Sequence, residues 1–231
     1  MKENISSNLG EAADRQALTE KAEREKRRDY QLLVEYTSLK TYAPLGVYVI
    51  PQLANMRVWH GVIFIRQGEY KGGVFRFKIE IPYSYPQTIP AVFFHTYVYH
   101  PLIHPETGEL ALGPQFPSWE PGKHFIFSIL AYIKKIFYFK DCWTMSRFAM
   151  NSQALYTYTQ DERLFFEDVR RCVIASEYYE DDNQVSNPIK FSKFNAFHKK
   201  LLDVFKSSMV NANAGAEEHF IRWFKKTFSE I

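Results

Sequence analysis

The chain has 231 residues, 46% of them hydrophobic and 17% aromatic, with a formal net charge of +3. That composition builds a core for one domain with extensions or two small domains, and it excludes an intrinsically disordered chain. A charge this mild leaves no footprint for nucleic acid. Two cysteines, Cys142 and Cys172, make no disulfide framework, which fits a reducing compartment. The N-terminus lacks an apolar signal core, and no apolar run reaches membrane-spanning length. No glycine at position 2 or C-terminal cysteine offers a lipidation site, so a soluble, cytoplasmic protein is expected.

Residues 1–28 are polar with interleaved acids and bases, which predicts a mobile arm with little apolar surface to dock it. Leu32, Leu33, Tyr36 and Leu39 then give helical spacing over Asp29 to Lys40. Three strand-like runs follow, Gly46 to Ile50, Val58 to Ile65 and Gly73 to Ile81, the last with clear period-two alternation. The glycine-rich Gln67 to Gly73 reads as a hairpin connection, and Ala91 to Phe94 as a fourth strand. Pro101 to Gly122 is rich in Pro and Gly and predicts a long irregular loop. Ile126, Ile129, Leu130, Ile133, Ile136 and Phe137 mark a buried central helix. Leu155 to Tyr158 and Arg163 to Glu177 predict two more helices, with Cys172 as a small buried apolar side chain.

After the acidic Glu180-Asp181-Asp182 the chain restarts, with Asn187 as an N-cap and Pro188 as first helical residue. Phe194, Phe197, Leu201 and Phe205 line one face of the helix expected there. Past a break at Asn211 to Gly215, a final helix carries Phe220, Phe224 and Phe228 on one side, beside Trp223, with Arg222, Lys225 and Lys226 largely opposite. These aromatics are candidate partner-binding residues. The same faces suit packing on the chain's own core or weak contact with an anionic membrane. The domain reading is a polar arm over 1–28, a core over 29–180 and a helical extension over 181–231. The class is α+β, a four-stranded antiparallel meander with flanking helices.

The landmarks Pro82-Tyr83-Ser84-Tyr85-Pro86, Pro90 to Phe94, His100-Pro101, Gly108 and Trp119-Glu120-Pro121 stand in the order and spacing of ubiquitin-conjugating (E2) enzymes. Over roughly residues 30–178 the chain resembles that family, and the resemblance implies the UBC-like fold. Three departures stand against its chemistry. Ala111 occupies the place of the cysteine that carries ubiquitin as a thioester, and a methyl group cannot attack a carbonyl. Leu102 follows His100-Pro101 where active members have an asparagine thought to stabilise the oxyanion; losing one such donor costs about 100- to 1000-fold in rate. Gln87 replaces the exposed aromatic after Tyr-Pro on which ubiquitin ligases grip.

The aromatic-rich core, the run Gly108-Glu109-Leu110-Ala111-Leu112 and the basic aromatic tail are similar to the inactive E2-like branch called Fused Toes or AKT-interacting proteins. That likeness implies a pseudoenzyme, a scaffold subunit of a vesicle-trafficking complex with a Hook-type coiled-coil dynein adaptor and an FHIP-type subunit. Peripheral location on vesicles or the plasma membrane would follow from it. Ubiquitin and a kinase stay open as partners. Two other readings also stay open: a non-catalytic ubiquitin-binding cofactor of an active E2, and a conjugating enzyme with a relocated nucleophile. For the latter, Cys142 beside Lys140 is the candidate, without a histidine close in sequence. His95, His100 and His104 have spacings open to metal ligation. No thiol or acidic cluster completes a site, so structural roles are expected; the resemblance to E2 enzymes implies that His100 braces its loop by hydrogen bonds. Pro114 to Pro121 reads as a rigid flap with Trp119 packed against the core, or else as a proline-rich ligand. No cofactor and no metal are expected.

Overall fold

The computed structural model describes residues 29–177 together with Ile189, Lys199, Lys200 and Asp203; the side chain of Cys142 lies outside that description. The chain divides into two compact units, Met1–Ile189 and Lys190–Ile231. The arm over 1–28, Asn187 and Pro188, and the candidate partner-binding residues Phe194, Phe197, Leu201, Phe205, Phe220, Trp223, Phe224 and Phe228 all lie outside the described residues. In the second unit Lys199, Lys200 and Asp203 are helical.

The described residues of the first unit begin with helix α1 over 29–42, two residues longer than the apolar spacing alone predicts. Its inner face is Leu32, Glu35 and Leu39, all buried, with Tyr36 edge-on to Trp59 at 5.5 Å. A Leu-to-Leu spacing of seven with an acid between them places that acid against the core.

The sheet is an antiparallel meander in the order β1-β2-β3-β4, formed by Val47–Gln52, Asn55–Phe64, Val74–Glu80 and Ala91–Phe94. Alternation decides its core face. Trp59, Ile63, Phe75, Phe77, Ile79, Val92 and Phe94 all point inward and are at most 4% exposed. The register pairs Trp59 with Ile79, Gly61 with Phe77 and Ile63 with Phe75, then Phe77 with Phe94 and Ile79 with Val92. Gly61 is needed where it stands: a Cβ there would come within 2.3 Å of the Phe77 ring, which lies over the bare backbone. The first hairpin differs from expectation. β1 runs on through Pro51 to Gln52, and β2 starts at Asn55, with a register shift between Pro51 and Gln52. Proline is tolerated because β1 is an edge strand with no outer ladder to feed.

Helix α2 covers Ile126–Lys135 and buries Ile126, Ile129, Leu130, Tyr132 and Ile133. Just past its end Phe137 stacks on Phe75 at 5.2 Å and meets Phe94 edge-on at 6.0 Å, joining helix and sheet in one core. Burying a ring of this size is worth about 2–3 kcal/mol. Two single turns of 3-10 helix, Lys140–Cys142 and Ser146–Phe148, lead to α3 (Ser152–Gln160) and α4 (Glu162–Glu177). Helix α3 starts three residues before the expected Leu155, because the Asn151 side chain accepts the Ala154 amide at 3.0 Å and caps it. Helix α4 buries Phe165, Val169, Cys172, Val173 and Ser176, the i, i+4, i+7, i+8, i+11 stripe of an amphipathic helix. Cys172 is thus buried, as its apolar neighbours predict.

Candidate functional site

The segment His100 to Ala111 is a loop held both by side chains and by backbone bridges, Ile103 with Leu110 and Phe93 of β4 with Glu109. His100 is fully buried. Its Nδ1 accepts the Leu102 amide at 3.0 Å, and its Nε2 lies 3.1 Å from the Ile136 carbonyl. One nitrogen must therefore accept and the other donate, which assigns the neutral Nε2–H tautomer from its partners. Burial is the main cause that pushes the imidazole pKa down to about 4, against a smaller upward pull from the Ile136 carbonyl. The same carbonyl also accepts the Trp143 indole N–H at 2.6 Å, and the Trp143 and His100 rings meet edge-on at 5.3 Å. His100 braces its loop through these bonds, as the resemblance implies.

Leu102 is 0% exposed, its side chain committed to the core. Its carbonyl accepts the Ala111 amide at 2.9 Å, so the backbones at 102 and 111 are held together. Ala111 is half-buried, and its own carbonyl accepts the Tyr132 hydroxyl at 2.9 Å. Around it the loop doubles back on Gly108, whose φ of +72° suits glycine. A Cβ there would sit 2.0 Å from the Phe94 carbonyl oxygen. The Phe94 amide donates to the Gly108 carbonyl at 2.8 Å, which fastens the loop to β4.

Geometry thus brings His100, Leu102 and Ala111 together, and what they present is a methyl group, a buried isobutyl group and a neutral, fully hydrogen-bonded imidazole. None of the three has a side-chain nucleophile, a thiolate or an oxyanion donor to offer. Cys172, the described cysteine, sits on α4 with its Sγ 3.1 Å from the Val169 carbonyl. Burial pushes its thiol pKa up to about 11, so it is protonated at neutral pH and a poor nucleophile.

The flap is anchored by Trp119, whose indole N–H donates to the Pro86 carbonyl at 2.7 Å. Phe116 packs edge-on against Trp119 at 5.5 Å and Tyr132 at 5.9 Å. Gln87, one residue past the cis Tyr85-Pro86 bond, is exposed, and its amide donates to the Ser84 carbonyl at 2.8 Å. His104 accepts the Glu106 and Thr107 amides on Nδ1, and His95 lies near His60 with ring centroids 6.2 Å apart. Among the described residues no three His, Cys, Asp or Glu side chains gather as a metal site.

Two residues matter here that the sequence reading passed over. Tyr132 ties Ala111 to α2, and Glu35 ties α1 to the β3–β4 connection and to α2: its carboxylate accepts the Tyr85 hydroxyl at 2.5 Å and the Ile126 amide at 3.0 Å. The signal for Glu35 was present, an acid on the same helical face as Leu32 and Leu39.

The sequence profile of the family described as Ubiquitin-conjugating enzyme matches residues 31–173. A crossbronx homolog from Culex quinquefasciatus is 33% identical over 190 residues, covering 79% of this chain and 82% of that protein. A crossbronx homolog from Anopheles gambiae is 32% identical over 207 residues, covering 87% and 91%. The AKT-interacting protein of Homo sapiens is 33% identical over 193 residues, covering 83% of this chain and 64% of the human one. The chain therefore spans less than two thirds of that human relative.

Proposed function

Because the chain belongs to the ubiquitin-conjugating enzyme family, alongside the crossbronx and AKT-interacting proteins, we propose that it is a non-catalytic, E2-like scaffold that works by binding other proteins. The observation that carries this is the site at Ala111: a methyl side chain, flanked by a fully buried Leu102 and by His100 locked between two backbone partners. A thioester needs a sulfur at that place, which a methyl group does not supply, and stabilising the oxyanion of transfer needs a donor that leucine lacks. Exposed Gln87 supports the same reading, since it offers a ligase no aromatic anchor. The name of the AKT-interacting relatives supports a kinase among the partners. Membership of a Hook and FHIP-type vesicle-trafficking complex in the cytoplasm is the finer proposal, and it rests on the family likeness.

The test is a loading reaction with ubiquitin, its activating enzyme and ATP, followed by affinity capture from cytosol. The expected result is no thiol-sensitive ubiquitin adduct, together with recovery of a Hook-type coiled coil. Thiol-sensitive loading of the wild-type chain would restore the relocated-nucleophile reading. Capture of ubiquitin or an active conjugating enzyme, without any coiled-coil adaptor, would favour the cofactor reading instead.

A further inference from the structure

The chain as a whole is nearly balanced, with 29 Lys and Arg against 26 Asp and Glu. Its acids are unevenly placed. Neither the stretch 36–68 nor the stretch 121–140 contains an aspartate or a glutamate. Of the four acids that border them, Glu35 is buried, Glu69 pairs with Lys140 at 2.9 Å, Glu120 pairs with Lys123 at 3.2 Å, and Asp141 is exposed.

The fold brings these two stretches together at one place. The Tyr42 ring, at the end of α1, lies 5.5 Å from Phe127 on α2, and Phe127 stacks on Phe125 at 5.6 Å. Seven residues along α2 from Phe127, and so on the same face, the Lys134 amine donates to the Leu45 carbonyl at 2.8 Å. Leu45 tips the turn between α1 and β1 and is 88% exposed; Tyr42 is 62% exposed. Lys40, Lys135 and Arg66 are exposed in the same acid-free stretches. An exposed leucine or tyrosine alone means little. An aliphatic tip and an aromatic ring, beside lysines with no carboxylate in the surrounding stretches, form a pattern of a different kind: apolar groups to enter an interface and cations to meet its charge.

We propose that this face, built from the end of α1, the α1–β1 turn and the outward side of α2, docks on an anionic lipid surface. Leu45 and Tyr42 enter the headgroup layer, and Lys134, Lys135 and Lys40 meet the lipid phosphates and carboxylates. A bilayer is favoured over an acidic peptide because the apolar groups stand out on a turn, where a peptide would need a recess. The residues of this surface are not those of the Ala111 site, so it stands or falls independently of the scaffold reading.

The test is co-sedimentation of the full chain with phosphatidylcholine vesicles, with and without phosphatidylserine. Binding is expected only with phosphatidylserine and is expected to weaken as salt is raised. Leu45→Asp and Tyr42→Ala are expected to weaken it. Lys134→Glu with Lys135→Glu is expected to weaken it by at least about fivefold for each lysine. Unchanged unfolding temperatures confirm that the exposed Leu45 and Tyr42 variants fold. Lys225→Glu with Lys226→Glu, in the C-terminal segment, is expected to leave binding in place. The proposal is overturned if vesicles are not bound, if binding ignores phosphatidylserine, or if it survives the Leu45 and Lys134/Lys135 variants. It is equally overturned if only the Lys225/Lys226 variant loses binding, or if soluble polyglutamate is bound and vesicles are not.

Discussion

The Glu35 carboxylate accepts the amide of Ile126, the first residue of α2, at 3.0 Å across 91 residues of chain. Helix α2 needs this help. Its N-cap is Phe125, which has no side-chain oxygen; the Ser128 hydroxyl accepts the Phe125 amide at 3.3 Å and the Phe125 carbonyl accepts the Ser128 amide at 2.9 Å, while the buried Ile126 amide is served by Glu35. The second Glu35 oxygen takes the Tyr85 hydroxyl, and the next residue, Pro86, holds Trp119 of the flap. One acid thus fastens α1 to α2 and to the β3–β4 connection, and that connection holds the flap.

Glu35→Ala strands two buried donors, and a loss of about 2–4 kcal/mol is expected in urea unfolding. Glu35→Gln keeps one acceptor oxygen, and a smaller loss is expected. Burial is the main cause that raises the Glu35 pKa, partly offset by hydrogen bonds from Ile126 and Tyr85. A raised carboxylate holds its proton longer in the folded state, so its contribution to stability declines as pH rises through its folded pKa. Equal stability of wild type and Glu35→Ala would refute the role given to this residue.

His100 acts in the opposite direction. Its folded pKa of about 4 lies below the ordinary histidine value of 6.5, so the unfolded chain binds the proton more readily. Stability is therefore complete above about 6.5 and is lost as pH falls toward 4, by roughly 3 kcal/mol at most. Unfolding free energies measured across that range should show the slope, and His100→Asn should flatten it. An unchanged slope in the variant would assign the acid sensitivity elsewhere.

Ala111→Cys restores a thiol without restoring transfer. The missing donor at Leu102 is worth about 100- to 1000-fold in rate. Any thioester formed on the variant is expected to discharge to lysine slower than in an active conjugating enzyme by that order. Adding Leu102→Asn puts an amide in a fully buried site, so the double variant should lose stability as well. Fast single-turnover discharge from Ala111→Cys alone would show that leucine at 102 is no obstacle.

Gly108 and Gly122 both have positive φ, +72° and +81°, but only Gly108 is crowded: its Cβ would meet the Phe94 carbonyl at 2.0 Å, whereas nothing lies within 4 Å at Gly122. Gly122→Ala is expected to cost about 1 kcal/mol, the backbone strain alone. Gly108→Ala is expected to cost about 3 kcal/mol or more, since it also strains the bond from Phe94. Similar chemical-denaturation midpoints for the two variants would remove the steric argument.

Periodicity made α1, α2 and the alternating strand β3 legible, because each presents one buried face to one core. The start of α3 was hidden: Asn151 caps it, but the apolar residues that signal a helix begin later. The run of β1 through Pro51 was hidden too, since proline reads as a stop unless the strand is known to be an edge. At the site, the identities of His100, Leu102 and Ala111 could be read from motif order. The Tyr132 hydroxyl on the Ala111 carbonyl could not, because periodicity marks a tyrosine as buried without saying where its oxygen goes.

Ile136 has the last consequence. Its carbonyl takes both His100 Nε2 and the indole N–H of Trp143, a side chain that is 0% exposed. Solvent can reach that indole hydrogen only when the end of α2, the His100 loop and the Trp143 turn come apart together. Its deuterium exchange, read as a single indole resonance, is therefore a clock for cooperative opening of the whole core, and binding a partner at any distance that stiffens the core should slow it.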